Sequence, residues 1–308
     1  MSMDRTGIEA KTRALNSLLK GMQEDPDLAG CVALHGGSAI NGFLFSAPRL
    51  SVDLDLSYTG ECELEELPAI RDDLLREIGE VGKEEGFEVT LSKPEHAGRT
   101  VRFHRRSFEV KADVSFMNRV TIGEPETRAS KVDPTTTFSV LSPYDLIGGK
   151  VRAALERSKS RDLFDLMTIS EHLGEFDASL LHGACLLYAS LSDGFPQRYP
   201  DGAFSRALDG RLAAMRADVS VALAPMLAPG TEVPSAEALL EEARAFLHEV
   251  AEPQSEVDEE YLACMSRGDF RPELILPEEE AARARKFPSA IWKAKNLAKR
   301  GGKGLTCS

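Results

Sequence analysis

Two aspartates two positions apart, Asp53 and Asp55, follow a Gly36-Gly37-Ser38 run by fifteen residues and sit in a segment, Leu50 to Tyr58, that alternates apolar and polar. Alternate residues of a strand share a face with Cα atoms roughly 6.5 to 7 Å apart, so the two carboxylates can converge on a divalent ion, and unneutralised they repel. A Gly-Gly-Ser turn from strand to helix leaves backbone N–H groups unpaired and lets a phosphate come close, with the Ser38 hydroxyl as a further donor. Taken singly, each feature has an ordinary reading: a plain turn, and the solvent face of an edge strand. A third carboxylate, Asp113, shares one face of the Phe108 to Phe116 segment with Lys111. If that strand pairs with the Asp53 strand, Asp113 completes an oxygen-rich triad suited to magnesium and nucleotide phosphates. Otherwise it is an exposed residue paired with Lys111 or a nearby arginine.

A second constellation runs from Ser142 to Leu166. Ser142-Pro143 reads as a capped helix start, and the stripe Ile147, Val151, Ala154 follows at helical spacing. Lys150 lies inside that stripe, where an unpaired ammonium is expensive, so it must meet an anion: a phosphate or an internal carboxylate. Arg157, Arg161, Asp162 and Asp165 come next, and the two acids share a helix face at i, i+3. A salt-bridge cluster between helices is the competing reading for some of them. Near the end of the chain, Arg283, Arg285, Lys286, Lys293, Lys295, Lys299, Arg300 and Lys303 occur without an acidic residue among them. That segment is either a solvated helix that offsets acidic neighbours or a phosphate-binding surface.

The elements that must position these residues can be read from pattern. Residues 3 to 22 have the spacing of an amphipathic helix, Cys31 to His35 of a short strand, and Ala39 to Leu44 of a helix. A helix from Pro68 to the glycines at 82 and 86 precedes strands at Phe87 to Leu91, Val101 to His104 and Phe108 to Phe116. A polar loop around Asp133-Pro134 follows. From Ser142 onwards the pattern is helical, which predicts an α+β domain over residues 1–140 and a helical domain with a basic C-terminal segment over 141–308.

Composition bounds the rest. With 308 residues, 42% hydrophobic, the chain can bury a large core, and no apolar run is long enough to span a membrane. The charged residues among Met1 to Leu19 do not fit a secretory signal, so a cytoplasmic protein without a membrane partner is expected. Five scattered cysteines without a CxxC do not suggest a zinc site or a disulfide framework. A net charge of -13 excludes indiscriminate coating of nucleic acid, so any polynucleotide must meet a local basic patch.

In combination, Leu34-His-Gly-Gly-Ser-Ala39, Arg49-Leu-Ser-Val-Asp-Leu-Asp55, Val110-Lys-Ala-Asp-Val-Ser-Phe116 and Ser142-Pro-Tyr-Asp-Leu-Ile-Gly-Gly-Lys-Val-Arg-Ala153, continuing to Arg161-Asp-Leu-Phe-Asp165, resemble the AbiEii/AbiGii nucleotidyltransferase toxins, including MenT-like toxins, of type IV toxin-antitoxin systems. The resemblance implies a polymerase-β-like nucleotidyltransferase core followed by an α-helical domain. It implies a Mg2+-dependent transfer of NMP from an NTP to an acceptor hydroxyl, a tRNA 3' end, with a cognate antitoxin encoded nearby. By the same resemblance Gly37 and Ser38 form the Gly-Ser motif, Asp53, Asp55 and Asp113 hold metal, and Lys150 and Arg157 bind phosphate. Asp165, with Asp162 as the alternative, is the late acidic residue. A protein or small-molecule hydroxyl remains the alternative acceptor, and a non-catalytic binding module the alternative class; three carboxylates facing one cleft argue against the latter.

Overall fold

A computed structural model describes residues 5–60, 62, 65–93, 98–106, 108–117 and 119–301. Lys303 and Cys307 lie outside them. The chain divides into two compact units: Met1–Arg119 with Glu124–Ser142 and Ala224–Glu232, and Val120–Gly123 with Pro143–Leu223 and Val233–Ser308.

The first unit is a mixed seven-stranded sheet in the order β3-β4-β5-β2-β1-β7-β6. Its strands are β1 (Val32–His35), β2 (Asp53–Tyr58), β3 (Glu88–Leu91), β4 (Gly98–Arg105), β5 (Phe108–Ser115), β6 (Glu126–Ala129) and β7 (Thr137–Val140). Helix α1 (Arg5–Glu24) packs on β5 and β7, α3 (Leu67–Glu84) packs on β3 and β4, and the two helices touch each other, so they cover one face. The apolar residues of the alternating strands point into that layer. Leu54, Leu56, Val110, Ala112, Val114, Val101 and Phe103 are buried, as are Leu15, Leu18 and Leu19 of α1 and Leu75 and Ile78 of α3. Burying such side chains is worth about 1.5 to 3 kcal/mol each, and this fixes the register, because a one-residue slip would bring the aspartates into the core.

Two departures from the sequence pattern concern this unit. The loop around Asp133-Pro134 is the connection of a hairpin: β6 pairs antiparallel with β7, and β7 joins β1 in parallel at Leu34 and Val140. Phe138 and Val140 are buried, an alternation only four residues long and masked by its polar flanks. Nor is β2 half-open along its length. Ser57, on the same side as the aspartates, is fully buried, so only the first part of the strand presents an open face.

The second unit consists of helices α4 (Pro143–Arg157), α5 (Ser160–Ser170), α6 (Ala178–Ser190), α7 (Leu212–Asp218), α8 (Ala236–Ala251), α9 (Glu256–Ser266), α10 (Glu278–Ala284) and α11 (Pro288–Gly301). Helix α6 is apolar nearly all round, and Leu181 and Ala184 to Ala189 are buried, as a central helix requires. It packs on α4 and α8, and α5 packs on α8. Asp145 on α4, only 2% exposed, accepts hydrogen bonds from the Ile122 and Gly123 amides and from the Tyr188 hydroxyl, tying residues 120–123 to the helices. No helix among the described residues is long and apolar enough to cross a membrane.

Candidate active site

The sheet face left uncovered by α1 and α3 carries the carboxylates. Strand β2 runs parallel to β5 with Asp53 opposite Lys111 and Asp55 opposite Asp113. On its other side β2 is antiparallel to β1, which sets His35 opposite Asp55. The three aspartates predicted to lie together are thus on neighbouring strands and one face.

Between them stands a cation. The Lys111 ammonium lies 2.9 Å from Asp113 Oδ2 and 3.7 Å from Asp53 Oδ2, with the three side chains 34 to 41% exposed. The other Asp113 oxygen accepts a 2.5 Å hydrogen bond from Thr100 Oγ1 on β4. Burial pulls the Lys111 pKa down, but the hydrogen bond to Asp113 and the charges of Asp53, Asp113 and Asp55 outweigh it, and the group is held above its ordinary value. Among the described residues, no group of three His, Cys, Asp or Glu side chains is drawn close enough to hold a metal ion. The donor chemistry nevertheless suits a hard divalent cation: three carboxylates share one half-open face, and a positive charge already bridges two of them.

The turn before the site is built against Asp55. His35 ends β1 in an extended conformation, and Gly36 follows with φ +68°, a region that glycine alone enters without strain. A Cβ at Gly36 would stand 2.0 Å from Asp55 Oδ2, so the missing side chain is what lets the backbone and the carboxylate meet. The helix α2 (Gly36–Ala39) then opens and continues as a π-turn over Ile40–Leu44. The Ser38 hydroxyl donates to the Asp53 carbonyl oxygen, fastening the turn to the first residue of β2.

Pattern reading gave no role to Arg49. It is 3% exposed, donates to the Leu50 carbonyl at 3.2 Å, and lies against Gly37, where a Cβ would come within 2.6 Å of its Nη2. A buried guanidinium beside the Gly-Ser turn positions that turn. Its signal in the sequence was one charged residue before a strand, which is ordinary. Ser38, Asn41, Arg49 and Ser51 also line a cavity of about 50 Å³, room for waters and too small for a nucleotide.

In the second unit, Lys150 is 6% exposed and meets carboxylates. Its ammonium is 2.7 Å from Asp165 Oδ2 and 3.2 Å from Asp162 Oδ1, and those acids are 0% and 3% exposed. Arg157 adds a two-pronged contact to Asp162 at 2.7 and 2.9 Å. Burial raises the Asp162 pKa, but the Arg157 hydrogen bond and the Lys150 and Arg157 charges overcome it and hold the carboxyl below its usual range. Of the two anions that the sequence left open for Lys150, the geometry shows the internal carboxylate. Arg157, with its side chain 60% exposed, lines an open pocket of about 420 Å³ together with Lys159, Arg211 and Asp218. Asp218 accepts from the Ser160 amide at 2.7 Å and so occupies the start of α5, a contact 58 residues apart that pattern reading could not supply.

MenT4, a nucleotidyltransferase toxin of Mycobacterium tuberculosis H37Rv, superposes with a TM-score of 0.57 at 18% identity, over 92% of this chain and 93% of that one, which shows a shared fold. A CdnC–HORMA complex from E. coli MS115-1 aligns over 94% of this chain and 93% of that one, at 13% identity and a TM-score of only 0.29. Comparison with curated proteins finds no match. The model of the AbiEii nucleotidyl transferase toxins of type IV toxin-antitoxin systems matches residues 17–248, a span that takes in all seven strands and the Lys150 cluster, and on that match the chain belongs to the AbiEii family and is a nucleotidyltransferase.

Proposed function

We propose that the protein is a Mg2+-dependent enzyme that transfers a nucleoside monophosphate from an NTP to a hydroxyl at a tRNA 3' end, in the cytoplasm, and that a cognate antitoxin encoded nearby restrains it. The family implies an NTP and an antitoxin partner; the metal, the tRNA and the compartment are our reading. The observation that carries it is the pairing of β2 with β5, which sets Asp55 beside Asp113 and Asp53 beside Lys111 on one open face.

Asp53 and Asp55 are the residues that would hold Mg2+, with Asp113 as the third carboxylate. When bound, the ion supplies charge neutralisation for the triphosphate and for the leaving pyrophosphate. The backbone amides of Gly37 and Ser38 offer donors to the phosphates, and Ser38 keeps that turn in place through its bond to Asp53. Asp113 accepts the acceptor hydroxyl's proton as the new bond to the α-phosphorus forms and the bond to the β-phosphate oxygen breaks. For that, its Oδ2 must be released by Lys111, which still has Asp53 within reach. Lys150, Arg157 and Asp165 are assigned to phosphate handling, with Arg157 as the exposed member and Lys150 exchanging one carboxylate for another anion.

The test is incubation with each α-labelled NTP, Mg2+ and total RNA. Label in the tRNA fraction supports the proposal, lost when the 3' hydroxyl is oxidised beforehand. Label on protein or on a small molecule alone overturns the tRNA assignment.

A further inference from the structure

Trp292 is the sole tryptophan of the chain, and it stands 66% exposed on α11. A side chain of this size normally buries 150 to 250 Å², and the helix does have an inward stripe: Ala290, Ala294 and Leu297 are buried, with Phe287 fully buried just before it. That stripe turns Trp292, Lys295 and Lys299 outward. They stand at i, i+3 and i+7, one face about 10 Å long.

The structure sorts the basic segment. Arg283 lies 3.6 Å from Glu279 and Arg285 3.4 Å from Glu273. Lys293 turns inward and donates to the Ser192 carbonyl. Lys286, Lys295, Lys299 and Arg300 are exposed and form no ion pair among the described residues. In a chain of net charge -13, unspent cations around an exposed indole are a local feature and not the general character of the surface. The other exposed large apolar side chains among the described residues, Leu91, Val132, Val221, Val233 and Val257, are on other segments. A protein partner would need contiguous apolar area there. One flat aromatic beside two lysines fits an unpaired base and its neighbouring phosphates.

We propose that the face of α11 made by Trp292, Lys295 and Lys299 holds a single strand of RNA, one base stacked on the indole and the two ammonium groups on adjacent phosphates. This rests on the reading that the acceptor is RNA, and it assigns part of that RNA's binding surface.

Because Trp292 is the only tryptophan, intrinsic emission of the full chain reports the site directly. A single-stranded 12-nucleotide RNA of mixed sequence is titrated at several salt concentrations, beside inorganic polyphosphate and polyglutamate. Saturable quenching by RNA, absent with polyphosphate, is expected. Trp292→Ala, measured with end-labelled RNA, should weaken binding roughly 5- to 150-fold, the range of one lost stacking contact. Lys295→Ala and Lys299→Ala should each reduce the log-log salt slope by about 0.7. Equal affinity of Trp292→Ala for RNA, equal quenching by polyphosphate, no RNA binding by the wild type, or quenching by polyglutamate alone would each overturn the assignment. The outcome is separable from the catalytic reading. If labelled nucleotide still reaches RNA while Trp292→Ala binds RNA normally, the strip is wrong and the transferase assignment stands. If label reaches only a non-RNA acceptor, that assignment fails on its own assay.

Discussion

Replacing Lys150 with Met removes the one ammonium between two carboxylates that are 0% and 3% exposed. Arg157 still holds Asp162, so the group that loses its ammonium is Asp165. Breaking a buried ion pair by deleting one partner destabilises by about 3 to 5 kcal/mol. At roughly 2 to 4 °C per kcal/mol for a domain of 150 to 250 residues, the melting temperature should fall by about 6 to 20 °C. Calorimetry of the full chain without nucleotide measures it. Adding Asp165→Asn to Lys150→Met removes the charge that has lost its ammonium and should recover part of the loss, which a double-mutant cycle quantifies. The pH dependence has a defined sign. Asp162 has a folded pKa below its unfolded one, so its contribution is fully present above about pH 4 and is lost as pH falls through the folded value. Lys150→Met removes one of the charges holding it down and should flatten that acid loss. A melting shift under about 2 °C, with acid unfolding unchanged, refutes the reasoning and means that the ammonium does not hold the two carboxylates in the folded chain.

Three further outcomes follow from the same geometry. Gly36→Ala must place a Cβ at φ +68° and 2.0 Å from Asp55 Oδ2; it should cost about 1 to 2 kcal/mol in stability and, by displacing the carboxylate, about 100-fold in transfer rate, and wild-type kinetics would contradict the close approach. Lys111→Met removes the cation now shared by Asp113 and Asp53, so the metal-free melting temperature should fall while Mg2+ produces a larger upward shift than in the wild type; identical Mg2+ titrations would show that the ammonium and the ion do not compete. The Lys293 pKa is pushed down to about 8, by burial first and then by Arg152, against Asp193 and Glu156; the unfolded chain therefore binds the extra proton between pH 8 and 10.5, stability should rise through that window by up to about 2 kcal/mol after discounting for the exposed part of the side chain, and Lys293→Met should abolish the rise.

Alternation and helical spacing made the layout of the first unit legible, because period two in β2 and β5 is imposed by a sheet buried on one side. They could not supply pairing partners. That Asp55 faces Asp113 depends on β2 and β5 being parallel neighbours, and local pattern carries no trace of that. The β6–β7 hairpin escaped because Phe138 and Val140 are the only apolar residues of a four-residue strand. Lys150 was legible as a charge in an apolar stripe that must find an anion, and its partners prove to be the two acids one helix further on. Arg49 and Asp218 were not legible, since their contacts with Gly37 and Ser160 arise from tertiary folding. Trp292 would be assigned to the core by residue type, and the placement of Ala290, Ala294 and Leu297 turns it outward.

The central claim is that the carboxylate face of β2 and β5 carries out nucleotidyl transfer. Its most direct test is a labelling assay with α-labelled NTP, saturating Mg2+ and total RNA, run on wild type, Asp53→Asn and Asp55→Asn after melting curves have shown each variant folded. The expected result is Mg2+-dependent label transfer with pyrophosphate release in the wild type and a loss of at least about 1000-fold in both folded variants. Transfer at the wild-type rate by either folded variant would contradict the claim.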